Sequence, residues 1–399
     1  MPLCGGPSTV LPEPSPGTHG NGQPEGQSYG EEKPTNIRPD VGGFSRGSYI
    51  DRDAVYASNL LDCAAGSCPL GTSEQVVRAA RAFSWDDLAR YPEPGYRELK
   101  EEICAFWSRE ARLDVDMVKV GNGSGIVLFR LAMLFLEPGV ATLGYMPQFP
   151  DWVAMVGVVG GEYDGVALDP AEGFRFDCQA FLARLALRPY PLVYIDNPNN
   201  PTGQLIPLDE VEQIARECER RDSVLIVDEA FGDYVDETCS GVNLVERYPN
   251  VVVTRTFSKG MGLAGVRVGY GLMSHYLGEF YDRIDVPLYP VSGLAVALAT
   301  ASLHDRRFLQ NNRVKMAEAK RHLLDRLVAK GYTVARTNDS CSIFTLGDRD
   351  REVDLHAELL RQGILTTAGR NFDNLGHNYV RVNTPQHPGD FLARLEGQE

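Results

Sequence analysis

A lysine among hydroxyl-bearing and glycine residues is the most informative chemical feature of the chain. Lys259 lies in residues 254–270, which read TRTFSKGMGLAGVRVGY. Thr256 and Ser258 precede this lysine, and Arg267 follows it by eight positions. A lysine that bonds to a carbonyl carbon needs a lowered pKa and a fixed approach, while hydroxyls and a guanidinium bind phosphate oxygens. The run predicts a Schiff-base lysine beside a phosphate site; the alternative is an incidental surface lysine in a glycine-rich loop.

A second anion-binding pattern, GNGSG, lies where a short apolar strand meets an apolar-periodic helix. Its residues Gly123, Ser124 and Gly125 can present backbone N–H groups at a helix N-terminus, which binds an anion without a charged side chain. The pattern lacks the Gly-Lys-Ser/Thr ending of a Walker loop. We expect it to form the other half of the phosphate site that contains Ser258 and Arg267.

The elements that position these residues alternate between short apolar strands and helical stretches. Such alternation predicts an α/β fold with a mostly parallel sheet covered on both faces, and ligands collect at the carboxyl ends of its strands. One strand runs into DNPNNPTG, a turn that contains Asn200, and another ends in DEAF at Asp228. A buried aspartate needs a partner, so Asp228 is either a site residue or the cap of a helix.

Together these motifs resemble those of fold-type I pyridoxal-phosphate enzymes in the class I/II aminotransferase family. Within the family, the motifs are most similar to those of the branch that contains histidinol-phosphate aminotransferases and threonine-phosphate decarboxylases. Five elements, GNGSG, NPNNPTG, DEAF, SKGMGLAGVRVGY and YVRV, occur in the order that the family has. The resemblance implies the cofactor pyridoxal 5′-phosphate and a large cofactor domain with a small α+β C-terminal domain. It also implies a homodimer with shared active sites.

The resemblance assigns catalytic and cofactor roles to individual residues. Lys259 would form the Schiff base and then act as general acid and base, with Asp228 paired to the protonated ring nitrogen. Asn200 would hydrogen-bond the cofactor O3′. Phe149 would stack on the ring, although ordinary core packing also explains an aromatic residue there. Thr256, with the residues of the two phosphate motifs, would hold the cofactor.

Two further residues receive roles that concern the substrate and the neighbouring subunit. Arg381, in the YVRV strand, would bind the substrate α-carboxylate; the alternative is a surface ion pair. Tyr91, in RYPEPG, would reach the cofactor phosphate of the neighbouring subunit; the alternative is an aromatic residue partly buried at a helix entrance.

The sequence departs from the family pattern at two places. Phe231 stands where aminotransferases usually carry a tyrosine that hydrogen-bonds the cofactor O3′. A phenylalanine at this position resembles the motif of the threonine-phosphate decarboxylases. Cys68 stands where the branch has the asparagine of an Asn-Pro-x-Gly element near the substrate. The second departure puts the usual substrate contact of the branch in doubt.

The domain organisation predicted from these patterns has four parts. Residues 1–45 are rich in Pro, Gly, Ser and Glu and predict a disordered extension, because they carry too little apolar surface to form a core. Residues 46–75 are expected to join the small domain. Residues 76–295 would form the large cofactor domain and residues 296–399 the small C-terminal domain.

Composition excludes several classes of protein. A net charge of −15 with a pI near 5.0 argues against a nucleic-acid surface, which needs clustered Lys and Arg. The eight cysteines lack the spacing of a zinc site and are expected to be free thiols. No apolar run reaches the roughly 18 residues of a membrane helix, and the N-terminus lacks the features of a secretory signal. We expect a cytoplasmic protein.

The predicted function is a pyridoxal-phosphate-dependent aminotransferase that acts on a small amino-acid substrate. The alternatives are decarboxylation of an amino acid similar to threonine phosphate, and elimination or replacement at Cβ or Cγ. A regulator with an aminotransferase-like domain is disfavoured, because an N-terminal segment of about 45 Pro/Gly-rich residues does not form a helical DNA-binding domain.

Overall fold

The computed structural model describes residues 59–286 and 290–397. The extension predicted for residues 1–45 lies outside this part, as do residues 46–58 of the predicted joining segment. The described chain alternates strands and helices, as the apolar pattern predicts. The boundary proposed between residues 295 and 296 stays a prediction.

Seven strands form the large sheet, in the order β2-β8-β7-β6-β5-β3-β4. In this sheet β8 runs antiparallel to both of its neighbours, β2 and β7, and the remaining strand pairs are parallel. The bounds of these strands are β2 Val118–Gly121, β3 Ala141–Met146, β4 Glu162–Ala167, β5 Leu192–Asp196, β6 Val224–Asp228, β7 Val251–Thr256 and β8 Gly269–Leu272. The apolar runs predict the bounds of β5 and β6 to the residue, because both strands are buried along their whole length.

Helices cover both faces of this sheet and pack against two apolar clusters. In the first part of the chain they are α1 Glu74–Ala82, α2 Arg97–Phe106, α3 Ser124–Phe135, α4 Pro150–Val158, α5 Cys178–Leu185 and α6 Leu208–Arg220. They continue with α7 Val242–Val245, α8 His275–Ile284, α9 Gly293–Leu303, α10 Arg306–Ala329, α11 Leu355–Arg361 and α12 Pro388–Leu395. Helix α6 is typical: it buries Val211, Ile214, Ala215 and Cys218, which lie on one face at helical spacing.

The C-terminal region adds a four-stranded antiparallel sheet in the order β12-β13-β10-β9. Its strands are β9 Thr333–Val334, β10 Ile343–Gly347, β12 Thr367–Ala368 and β13 Tyr379–Asn383. A separate parallel pair joins β1, Leu61–Asp62, to β11, Ile364–Leu365. The chain before the large sheet is therefore paired with strands from the C-terminal region.

A buried lysine organises the segment between β9 and β10. The Lys320 ammonium group, on α10, donates to the Thr337 hydroxyl at 2.6 Å and to the carbonyls of Asn338, Cys341 and Ile343 at 2.7, 3.0 and 2.9 Å. The Asn338 N–H in turn donates to the Gly203 carbonyl at 2.8 Å. Lys320 thus holds the segment that contacts the NPNNPTG turn.

Replacing Lys320 with methionine should destabilise the protein by about 3 kcal/mol, because buried acceptors lose their donor while the apolar stem is kept. Urea unfolding followed by circular dichroism measures this difference. Lys315→Met, on an exposed position of the same helix, is the matched control and should leave the midpoint almost unchanged. Equal midpoints for the two variants would contradict the role given to Lys320.

Candidate active site

A cavity of about 230 Å³ opens at the carboxyl ends of the parallel strands of the large sheet. Most of the residues that the sequence singles out line it: Ser124, Gly125, Phe149, Asn200, Asp228, Phe231, Thr256, Ser258, Lys259, Arg267 and Arg381. These residues come from loops far apart in the sequence. Two predicted residues, Gly123 and Tyr91, are not among the lining residues.

Hydrogen-bond donors gather where helix α3 meets the cavity. Helix α3 begins here, with Gly123 at its N-cap and a backbone φ of 105°, a conformation that favours glycine. A Cβ atom on Gly123 would lie 3.0 Å from Arg267 Nη2, so a side chain would press on the guanidinium. Gly123 therefore leaves room for the Arg267 guanidinium, although it does not line the cavity itself. The first N–H groups of α3 lie at the positive end of the helix dipole, a position that favours an anion.

Side chains from the lysine loop complete this anion site. The Arg267 guanidinium donates to Ser258 Oγ at 3.1 Å and to the Ala264 carbonyl at 2.9 Å. The Thr256 and Ser258 hydroxyls lie 3.0 Å apart. The result is a cluster of hydroxyl, guanidinium and backbone donors with the chemistry of a phosphate site, as the two motifs predict.

Asp228 lies at the opposite end, buried at the end of β6. Its carboxylate accepts from the Tyr194 hydroxyl at 2.9 Å, the Thr254 hydroxyl at 2.9 Å and the Ala230 N–H at 3.2 Å. Burial raises the pKa of Asp228 to about 6, opposed by the Tyr194 hydrogen bond. Sequence analysis missed Tyr194 and Thr254, which lie on neighbouring strands that only the sheet brings together.

Lys259 lies between these two ends, and its pKa is lowered to about 7. The main cause is burial, reinforced by the positive charges of Arg381 and Arg267 and opposed by Asp228. The Lys259 ammonium nitrogen is 5.2 Å from the centre of the Phe231 ring. An amine with this pKa is partly deprotonated near neutral pH, which is the condition for a nucleophile or a base.

Arg381 connects the C-terminal sheet to this cavity. Its guanidinium donates to Asn200 Oδ1 at 3.0 Å, to the Ala64 carbonyl at 2.5 Å and to the Thr367 hydroxyl at 3.0 Å. The side chain is buried, so the alternative of a surface ion pair does not describe it. Arg381 and Asn200 are thus in direct contact, although 181 positions separate them in the sequence.

The loop between β1 and α1 lies against the lysine loop. A Cβ atom on Gly66 would lie 2.8 Å from Lys259 Nζ, so a side chain there would displace the Lys259 amine. Cys68, at the departure from the branch pattern, lies with its sulfur 3.2 Å from Asn312 Nδ2. Asn312 also donates to the Gly260 carbonyl at 2.9 Å. Burial raises the pKa of the Cys68 thiol, so this residue packs rather than reacts.

Comparison with known proteins identifies the family. The family described as "Aminotransferase class I and II" matches residues 58–395. The chain belongs to this family. The predicted fold type, the cofactor pyridoxal 5′-phosphate and the aminotransferase activity are thereby confirmed. The decarboxylase alternative is not favoured.

Several curated proteins are similar over most of their length. A histidinol-phosphate aminotransferase from Symbiobacterium thermophilum is 33% identical over 82% of this chain and 87% of that protein. A histidinol-phosphate aminotransferase from Pseudomonas syringae pv. syringae is 31% identical over 88% of this chain and 95% of that protein.

Solved structures share the fold. One is the histidinol-phosphate aminotransferase from Sinorhizobium meliloti in complex with pyridoxal-5′-phosphate, with a TM-score of 0.78 and 23% identity over 91% of this chain and 96% of that chain. Another is the aspartate aminotransferase from Thermus thermophilus with maleate, with a TM-score of 0.79 and 22% identity over 90% of this chain and 98% of that chain.

Other expectations from composition can be compared with the described residues. All seven cysteines in the described part of the chain are free thiols, as predicted. Among the helices of that part, none is long and apolar enough to cross a membrane.

The lowered pKa of Lys259 makes a direct prediction for the cofactor-free protein. Because only the neutral amine reacts with an acylating reagent, labelling of Lys259 should rise through about pH 7, well below the ~10.5 of an ordinary lysine. Asp228→Asn removes an anion that stabilises the ammonium form and should move this rise to lower pH; Arg267→Met should move it to higher pH.

Peptide mass spectrometry at a series of pH values measures this labelling. The peptide with the exposed Lys315 gives the reference in the same sample. If labelling of Lys259 has the same pH dependence as labelling of the reference peptide, the cavity does not lower the pKa of Lys259.

Proposed function

We propose that the aminotransferase reaction of this chain takes place in this cavity, with Lys259 as the residue that bonds to the cofactor and carries the proton. The observation that supports this assignment is the meeting of Lys259, the anion site and Asp228 in one cavity. The polar groups of pyridoxal phosphate fit these residues: Arg267, with Thr256, Ser258 and the α3 N-terminus, suits the phosphate. Asp228 suits the ring nitrogen.

The chemistry of each residue follows from its surroundings. When bound, pyridoxal phosphate withdraws electrons from a bond to the substrate Cα. Asp228 in its carboxylate form stabilises a protonated ring nitrogen. Lys259, with a pKa of about 7, can take a proton from Cα and return one near neutral pH. Phe149 lines the cavity and is proposed to cover a face of the ring.

Arg381 is proposed to bind an anionic group of the substrate amine. Its guanidinium donates a hydrogen bond to Asn200. This contact would fix the distance between a substrate anion bound at Arg381 and a cofactor bound at Asn200. The relatives named above are histidinol-phosphate aminotransferases, so histidinol phosphate is the first substrate to test, beside α-amino acids. Phe231 offers no hydroxyl to the cofactor, which leaves Asn200 as the polar group proposed for O3′.

The reaction is tested by following the substrate Cα–H bond in deuterated water. With an accepted amine, the purified enzyme loaded with pyridoxal phosphate should exchange this hydrogen and convert the cofactor to pyridoxamine phosphate. Lys259→Ala should slow exchange by about a thousandfold, the usual contribution of a general base. Lys315→Ala is the control and should keep the normal rate.

Two results would contradict this assignment. Release of CO₂ without pyridoxamine phosphate would indicate the decarboxylase reaction instead. A normal exchange rate in Lys259→Ala would mean that another residue moves the proton.

We also propose a homodimer in which Tyr91 reaches the neighbouring subunit's cofactor phosphate. Three large apolar side chains are exposed close together in the sequence: Trp85, Leu88 and Tyr91 are 65, 56 and 84% exposed. Large exposed apolar side chains concentrated in one segment favour an interaction surface there. Tyr91 does not line the cavity of its own chain, so the predicted contact needs a second copy.

Sedimentation tests this pairing. The purified protein should have about twice the 44.0 kDa mass of one chain, and Leu88→Asp should shift it towards the single-chain mass by placing a charge in an apolar interface. Leu187→Asp, at another exposed leucine, is the control and should keep the larger mass. A single-chain mass for the unaltered protein would contradict the proposed dimer.

A further inference from the structure

A second aspartate ends the strand next to that of Asp228. Strands β5 and β6 are parallel and in register, with Asp196 directly opposite Asp228. Asp196 is buried and lines the same cavity. The Asp196 carboxylate has no part in the proposed chemistry. Burying a carboxylate costs free energy unless hydrogen bonds or an opposite charge compensate it.

Five donors converge on the two oxygens of Asp196. Oδ1 accepts from the Tyr145 hydroxyl at 2.8 Å, Asn199 Nδ2 at 3.0 Å and Gln148 Nε2 at 3.3 Å. Oδ2 accepts from the backbone N–H of Asn200 at 2.9 Å and that of Phe149 at 3.3 Å. Burial raises the pKa of Asp196, and the hydrogen bonds oppose this rise because a protonated carboxyl would place a hydrogen among the donors.

The two donors on Oδ2 belong to different loops. Phe149 follows β3 and caps the start of α4, whereas Asn200 lies in the turn after β5. One oxygen atom therefore ties together the backbones that carry the proposed ring-stacking residue and the proposed O3′ partner. The Asn199 side chain adds a second link, because it also donates to the Pro147 carbonyl at 3.1 Å.

We propose that Asp196 is a positioning residue of the cofactor site, whose carboxylate holds the Phe149 and Asn200 loops at the separation that fits a pyridine ring. This inference rests on the proposed function, which places the cofactor in this cavity. Asp196 acts through these loops and does not itself exchange a proton with the substrate.

Two substitutions separate the contributions of the carboxylate. Asp196→Asn keeps the shape but leaves one acceptor oxygen, so at least two of the five donors must face an NH₂ group. Asp196→Ala removes both acceptors. Losing such buried hydrogen bonds should raise the dissociation constant of pyridoxal phosphate about tenfold in the first variant and about a hundredfold in the second.

Asp164→Asn is the matched control for the loss of a buried carboxylate. Asp164 lies on β4 of the same sheet and outside the cavity lining, and it accepts from the Tyr190 hydroxyl and the guanidinium groups of Arg184 and Arg188. Its replacement should lower the melting temperature but change the cofactor dissociation constant by less than about twofold, because it removes no contact to the site.

Backbone hydrogen exchange in the cofactor-free protein supplies a measurement that does not depend on the reaction. The Phe149 and Asn200 amides should exchange faster in Asp196→Ala than in the unaltered protein, and at the normal rate in Asp164→Asn. Equal exchange at both amides, or equal loss of cofactor affinity in Asp164→Asn, would overturn the role of Asp196. If the unaltered protein does not bind pyridoxal phosphate, the proposed function fails instead, which is a distinguishable result.

Discussion

The site depends on parallel strands that end at one edge of a sheet. Because β5, β6 and β7 run in the same direction and in register, the residues that leave their carboxyl ends meet in space. Asp196 and Asp228 are directly opposite each other for this reason, and Thr254 reaches Asp228 from the next strand. The helices on both faces bury these strand ends, so the polar groups there act in a medium of low polarity.

Burial and charge together set the state of the central lysine. Burial and, after it, the charges of Arg381 and Arg267 lower the pKa of Lys259, while Asp228 opposes them. Arg381 also links the C-terminal sheet to the NPNNPTG turn, through Asn200, in addition to the Asn338–Gly203 hydrogen bond. A change in how the two sheets pack would therefore alter both the geometry at Asn200 and the charge that Lys259 experiences.

The two departures from the family pattern leave this arrangement intact. Cys68 packs on Asn312, which holds the lysine loop through the Gly260 carbonyl, so the loop is supported although the asparagine is missing. Phe231 is buried beside Lys259 and supplies apolar surface where a phenol is usual. Both substitutions change the side chain that faces a ligand and leave the supporting contacts of the loops in place.

The local features of this protein follow from its amino-acid sequence alone. The phosphate motif at Gly123, the lysine loop at Lys259 and the bounds of β5 and β6 depend on neighbouring residues: apolar runs, turn residues and glycines at fixed spacing. The chemistry of the family is likewise carried by short motifs. For that reason most of the cavity lining could be named before any coordinates.

The distant groups that contact those motifs are set by the tertiary fold. Gly66 lies against Lys259 and Tyr194 donates to Asp228, yet no local pattern marks Gly66 or Tyr194. Asp196 begins the DNPNNPTG motif, but the motif does not show that a side chain and a backbone N–H from the loop after β3 donate to its carboxylate. Their roles arise from strand order and from loops that meet across the sheet. Such contacts depend on the packing of the whole chain, and the spacing of residues along a single segment does not contain them.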